Sequence, residues 1–119
     1  MEFELLAGRF AVCALDKPVL PQGEFVSLTM SGGEVSLVCE EAGVPKGCKA
    51  ETGWRALRIK GPLDFSLVGI MAHVSKILAD EGISLFAVST YETDYVLVKD
   101  ENMQRSIDAL KNHGHTVIK

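Results

Sequence analysis

The chain has 119 residues, 47% of them hydrophobic and 24% charged, which fits one compact domain or two very small ones and argues against a disordered chain. Its formal charge of −4 disfavours nucleic acid or an anionic membrane as partner. No apolar run nears the roughly 20 residues of a membrane span, and the opening MEFELLAGRF is acidic where a secretory signal is basic, so a cytoplasmic protein is expected.

In the N-terminal half, RFAVCAL (9–15) reads as a strand. EFVSLTM (24–30) and EVSLVCE (34–40) follow as a hairpin. Val26, Leu28 and Met30 alternate with Ser27 and Thr29, and Val35, Leu37 and Cys39 alternate around Ser36. Ser31-Gly32-Gly33 supplies the turn, because glycine accepts positive φ at little steric cost. The connections DKPVLPQG (16–23) and AGVPKGCKAETG (42–53) are too broken by proline and glycine to be full helices. Cys13, Cys39 and Cys48 are odd in number and form no CxxC pair. That spacing argues against a disulfide framework or a zinc knuckle and for buried apolar thiols.

The C-terminal half begins with WRALRIK (54–60), where Leu57 and Ile59 alternate with Arg58 and Lys60. This is the pattern of a half-buried strand, broken by Gly61-Pro62. Leu67, Ile70, Met71, Val74, Ile77 and Leu78 then recur at helical spacing. A helix is predicted over about 66–81, capped by Asp64 or Ser66 and ended by Gly82. ISLFAV (83–88) and DYVLVK (94–99) are strands on either side of STYETD (89–94). Asp100 can cap a second helix with Met103, Ile107 and Leu110 on its apolar face and Gly114 at its end. HTVIK (115–119) is a last strand. The order βαββαβ predicts an α+β, ferredoxin-like arrangement, two helices covering one face of a four-stranded antiparallel sheet.

The earlier hairpin aligns with the later one at a shift of 60 residues, Leu28 on Val88, Leu37 on Leu97 and Glu40 on Asp100. This is the pattern of an internal repeat whose first copy has lost its helices. The expected organisation is a reduced, mostly β unit over 1–53 and a complete unit over 54–119.

The stretch from Leu63 to Val117 resembles an ACT domain. Gly69-Ile70-Met71-Ala72 is similar to the family's helix opening, LADEGISL (78–85) to its helix-to-strand passage, and VSTYETDYVLV (88–98) to the tandem ACT proteins related to aspartokinase regulatory domains and the CASTOR arginine sensors. The resemblance implies a sensor or regulatory module, two ACT-like units with the first reduced, a homodimer, and an amino acid or similar small ligand held at the joint between units. It carries ligand contact onto Asp64, Phe65, Ser66, Gly69 and Ile70, and onto Ser89, Thr90, Tyr91, Thr93 and Asp94. The chemistry suits an amino acid. Its carboxylate fits backbone N–H groups at a helix N-terminus, approached closely beside Gly69, while Asp64 or Asp94 can meet its ammonium.

Other readings stay beside this one. STYETD also reads as a solvated turn, Asp94 as its structural anchor, and the whole chain as an interaction module that keeps the fold without a ligand. His113 and His115 suit the end of a helix better than a metal site. No phosphate-cradling loop, HExxH or GxSxG occurs. Cys48 would need a histidine within reach to act as a nucleophile. Neither catalysis nor a cofactor is expected.

Overall fold

Residues 1–60 and 68–119 are described by a computed structural model, which divides into two units, Gly8–Trp54 and Met1–Ala7 with Arg55–Lys119. The division falls after Trp54. Met1–Ala7 group with Arg55–Lys119.

In the unit Gly8–Trp54 the strands are β2 (Phe10–Ala14), β3 (Val26–Ser31), β4 (Glu34–Glu40) and the first part of β5 (Lys49–Ile59), in the order β3-β4-β2-β5. All neighbours are antiparallel, with an irregularity between Phe10 and Val12 where β2 meets β5. Ser31 pairs with Glu34, so β3 and β4 are joined by Gly32 and Gly33 alone, at φ 56° and 82°. Two successive positive φ angles match the twist of the flanking strands, which is why two glycines stand there. In place of a second helix the connection 41–48 carries a single 3-10 turn, Glu41–Gly43. The Glu41 carboxylate accepts a 2.7 Å bond from the Gly53 N–H.

The second unit contains β1 (Glu2–Leu5), the end of β5, α1 (Ile70–Asp80), β6 (Phe86–Ser89), β7 (Asp94–Lys99), α2 (Asp100–Asn112) and β8 (Thr116–Ile118). Its strand order is β6-β7-β5-β1-β8. The four-stranded antiparallel sheet expected from the sequence is therefore five-stranded, because β1 lies between β5 and β8. β1 is antiparallel to β5, with Phe3 opposite Ile59, and parallel to β8, with Phe3 opposite Val117. Glu4 faces Arg58 at 3.5 Å and Glu2 faces Lys60 at 3.7 Å across the β1–β5 seam. Opposite charges placed across a ladder in this way favour one register.

Both helices place apolar faces in one core, with Val74, Ile77 and Leu78 from α1 and Met103, Ile107, Ala109 and Leu110 from α2, around Phe3, Leu57, Ile59, Val96 and Val98. The second helix begins one residue differently from its expected capping. Asp100 is its first residue, not a side-chain cap. The Asp100 carboxylate lies 3.5 Å from Arg55 and, with Glu101, puts negative charge on the positive end of the helix.

At the far end of α2, His113 Nδ1 lies 2.9 Å from the carbonyl of Ala109 and donates to it, while His115 packs edge-on against Phe3. His115 Nδ1 lies 3.0 Å from the Met1 amino group, and its Nε2 lies 2.9 Å from His73 Nε2. Nδ1 of His115 must accept, so its proton sits on Nε2 and is donated to His73. Burial pushes the His115 pKa below its usual 6.5, helped by the amino group, His73 and His113. The unfolded chain thus takes up this proton first. Stability is expected to be complete above about pH 6.5 and to fall as the pH drops through the lower folded-state value. Urea midpoints measured from pH 8 to 5 check this, and His115→Gln should flatten the fall.

Candidate functional site

The connectivity of the second unit brings two segments to one end. β5 runs toward Ile59, α1 returns, β6 runs parallel to β5, and the hairpin Thr90–Thr93 then turns into β7. Lys60, the start of α1 and that hairpin therefore share the end of the sheet at which β5 finishes.

At the helix side, α1 starts at Ile70, four residues later than expected, and Gly69 is its N-cap at φ 79°, ψ 3°. This left-handed conformation is one that side-chain-bearing residues adopt at a cost of about 1–2 kcal/mol. Among the described residues, a Cβ on Gly69 would meet no heavy atom within 4 Å. The left-handed backbone is by itself a reason for glycine at this position. Its carbonyl accepts from the His73 N–H at 2.9 Å, the first bond of the helix. The N–H groups of Ile70, Met71 and Ala72 precede that bond and have no partner within the helix. Ile70 itself is half-buried and packs on the core. Asp64, Phe65 and Ser66 lie outside the described residues.

The hairpin side is built differently from the glycine turn of β3–β4. Ser89 pairs with Asp94, leaving Thr90, Tyr91, Glu92 and Thr93 between the strands. No described non-glycine residue has positive φ, so the primed two-residue turn is not used here. Threonine hydroxyls do the work instead. Thr90 Oγ1 donates to the Thr93 carbonyl at 3.1 Å and accepts from the Thr93 N–H at 3.3 Å, while the Thr90 N–H donates to the same carbonyl at 2.8 Å. Thr93 is buried, and its hydroxyl donates to the Ile59 carbonyl at 2.6 Å. That bond ties the hairpin to the end of β5.

The residues proposed from sequence thus fall into two sets. Thr93 faces inward with its hydroxyl committed to β5, so Thr93 anchors the turn. Ser89, Thr90 and Tyr91 are exposed and Asp94 is half-buried. Among the described residues no hydrogen bond or ion pair engages the Asp94 carboxylate. The registers also refine the repeat. Leu97 stands 60 residues after Leu37, but their partners Phe86 and Leu28 are 58 apart. The later hairpin therefore carries two more residues in its loop than the earlier one. Among the described residues no group of three or more His, Cys, Asp or Glu side chains is placed to hold a metal, and no helix is long and apolar enough to cross a membrane.

Residues 49–112, more than half of the chain, match the family model of the ACT domain. The chain belongs to the ACT domain family. The rat protein named cytosolic arginine sensor for mTORC1 subunit 1 is 37% identical over 59 residues, covering 49% of this chain and 18% of the sensor. The chain thus spans less than a fifth of the length of that relative. Among solved structures, a protein of Agrobacterium tumefaciens superposes with a TM-score of 0.88 at 30% identity, over 98% of this chain and 91% of that one. The regulatory subunit of aspartate kinase from Thermus thermophilus shares the fold, with a TM-score of 0.62 at 10% identity over 92% and 95% of the two chains.

Proposed function

We propose that this ACT protein is a regulatory module that binds a free amino acid at the Gly69 end of its ACT unit. The observation that carries the reading is the left-handed Gly69 at the N-terminus of α1, where a Cβ would meet no described atom. The N–H groups of the first helical turn, which have no partner within the helix, suit a carboxylate, and the absence of a Cβ lets it approach. Ser89, Thr90 and Asp94, at the same end of the sheet, supply hydroxyls and a negative charge for the ammonium. The rat relative, an arginine sensor by name, supports an amino acid as ligand class. Binding would work without chemistry, by favouring one arrangement of the protein over another.

The test is a thermal-shift screen over the twenty amino acids. A ligand at 100 times its Kd stabilises the native state by about 2.7 kcal/mol, a shift of several degrees in a chain of this size. Asp94→Asn is expected to leave the unliganded melt within about 0.5 kcal/mol of wild type, as for other surface changes, and to remove the ligand-induced shift. No shift with any amino acid at millimolar concentration would overturn the reading.

A further inference from the structure

The end of the sheet at which α1 begins also carries a row of groups that take up protons. β1 starts there beside Lys60, and β8 starts there, parallel to β1. His73 on α1 turns its Nε2 to the Nε2 of His115 at 2.9 Å, with the two rings edge-on at 5.1 Å. His115, just before β8, is held from behind. Its Nδ1 lies 3.0 Å from the Met1 amino group, and its ring stands edge-on to the fully buried Phe3. Little else fastens the start of α1. Ile70 and Met71 are half-buried, Ala72 and His73 are exposed, and Val74 is the first residue of the helix to be fully buried. Among the described residues, the His73–His115 bond is the only side-chain hydrogen bond that joins residues 69–74 to another element. The same His73 gives its backbone N–H to the Gly69 carbonyl, closing the first turn.

We propose that His115 is a positioning residue for the first turn of α1, holding it through His73 while both rings are neutral and releasing it when either ring takes up a proton. Resting on the reading of that turn as a carboxylate site, this hold makes the site sensitive to pH.

The hold depends on a match of donors and acceptors. The amino group donates to His115 Nδ1, and His115 Nε2–H donates to His73 Nε2. A neutral imidazole offers one donor and one acceptor, while a charged one offers two donors. A proton added at His73 Nε2 sets two N–H groups head to head and breaks its bond to His115. A proton added at His115 Nδ1 breaks the bond to the amino group and sets two positive charges 3.0 Å apart. The row is closed in neither charged state. The neighbours offer no compensation. The amino group, His73 and His113 all oppose protonation of His115, and burial opposes it more, so its pKa lies below the usual 6.5. Nδ1 of His113 is taken by the Ala109 carbonyl. Glu2 at the start of β1 is paired with Lys60 at the end of β5, and on α1 Lys76 is paired with Asp80. Among the described residues no carboxylate forms an ion pair with either ring.

The test follows amide exchange of the full chain by NMR between about pH 8 and pH 5, together with the titration of both rings. Protection is corrected for the intrinsic rate of each amide. The His73 amide is expected to lose about three- to tenfold in protection relative to the Leu110 amide of α2, the effect of losing one hydrogen bond. The loss should share its midpoint with the titration of the pair. It should persist at about 0.5 M salt, because a lost donor–acceptor match is not screened as a charge is. His115→Gln and His73→Gln each replace a ring that titrates with an amide that does not, so in both the relative protection should no longer depend on pH. Parallel losses at His73 and Leu110, or a pH dependence that survives in both variants, would overturn the proposal. This measurement contains no amino acid, so its failure is distinct from a thermal-shift screen without a hit. An amino acid that does stabilise the chain at pH 8 should bind about three- to tenfold more weakly at pH 5. Equal weakening in His115→Gln would count against His115 as the cause.

Discussion

Phe3→Ala is expected to cost about 3–5 kcal/mol of stability, the usual consequence of emptying a buried aromatic site. That is a large fraction of the roughly 5–15 kcal/mol that holds a domain together. Phe3 is fully buried, flanked by Ile59 on β5 and Val117 on β8, with His115 edge-on to its ring. The lost ring leaves a cavity in the seam of three strands, which side chains fixed on both sides do not collapse into. The same reasoning predicts that a fragment of residues 54–119, complete by the sequence pattern, does not fold alone. It lacks the strand that occupies the space between β5 and β8. Urea unfolding of Phe3→Ala beside Leu20→Ala checks this. Leu20 is 72% exposed, so its truncation should change stability by less than about 0.5 kcal/mol. Equal effects of the two changes would remove β1 from the core.

The strand that carries this prediction was legible in part. Phe3 and Leu5 alternate with Glu2 and Glu4, and the acidic positions complement Arg58 and Lys60. Four residues are too short a run to announce a strand without that partner. The two amphipathic helices and the strands 83–88 and 94–99 were plain, because periods of 3.6 and 2 report burial on one face. The start of α1 was not. The apolar pattern extends back to Leu67, while the left-handed Gly69 sets where the described helix begins, and only backbone angles reveal that. The cysteine cluster was invisible for another reason. Spacing along the chain says nothing about residues brought together by strand register. Cys13 and Cys39 share an apolar cluster, with Cys48 packed against it, only once β2 pairs with both β4 and β5. In the hairpin, Asp94 suits either a ligand contact or the anchor of the turn, because aspartate commonly serves turns. The buried position two residues before Tyr95 instead selected a threonine, whose methyl group suits the core while its hydroxyl reaches a carbonyl.

Thr93→Val is the second large effect expected, about 1–3 kcal/mol. Valine keeps the shape and the burial of threonine but removes the donor that the Ile59 carbonyl receives at 2.6 Å. A buried acceptor stripped of its partner bears the desolvation cost unrelieved. Thr93→Ser keeps the hydroxyl and loses a methyl, so it should retain most of the stability that valine forfeits. That order, serine above valine, separates a hydrogen-bond role from a packing role, because packing alone predicts the reverse. The consequence extends to the proposed site. The hairpin has no glycine to fix its turn, so its position rests on Thr90 closing the loop and Thr93 fastening it to β5. In Thr93→Val the loss of stability and the weakening of any amino-acid-induced shift should appear together. In Asp94→Asn the shift should vanish with stability unchanged. Chemical denaturation with and without ligand resolves the two. A Thr93→Val protein as stable as wild type would show that the hairpin is held by its strand pairing alone.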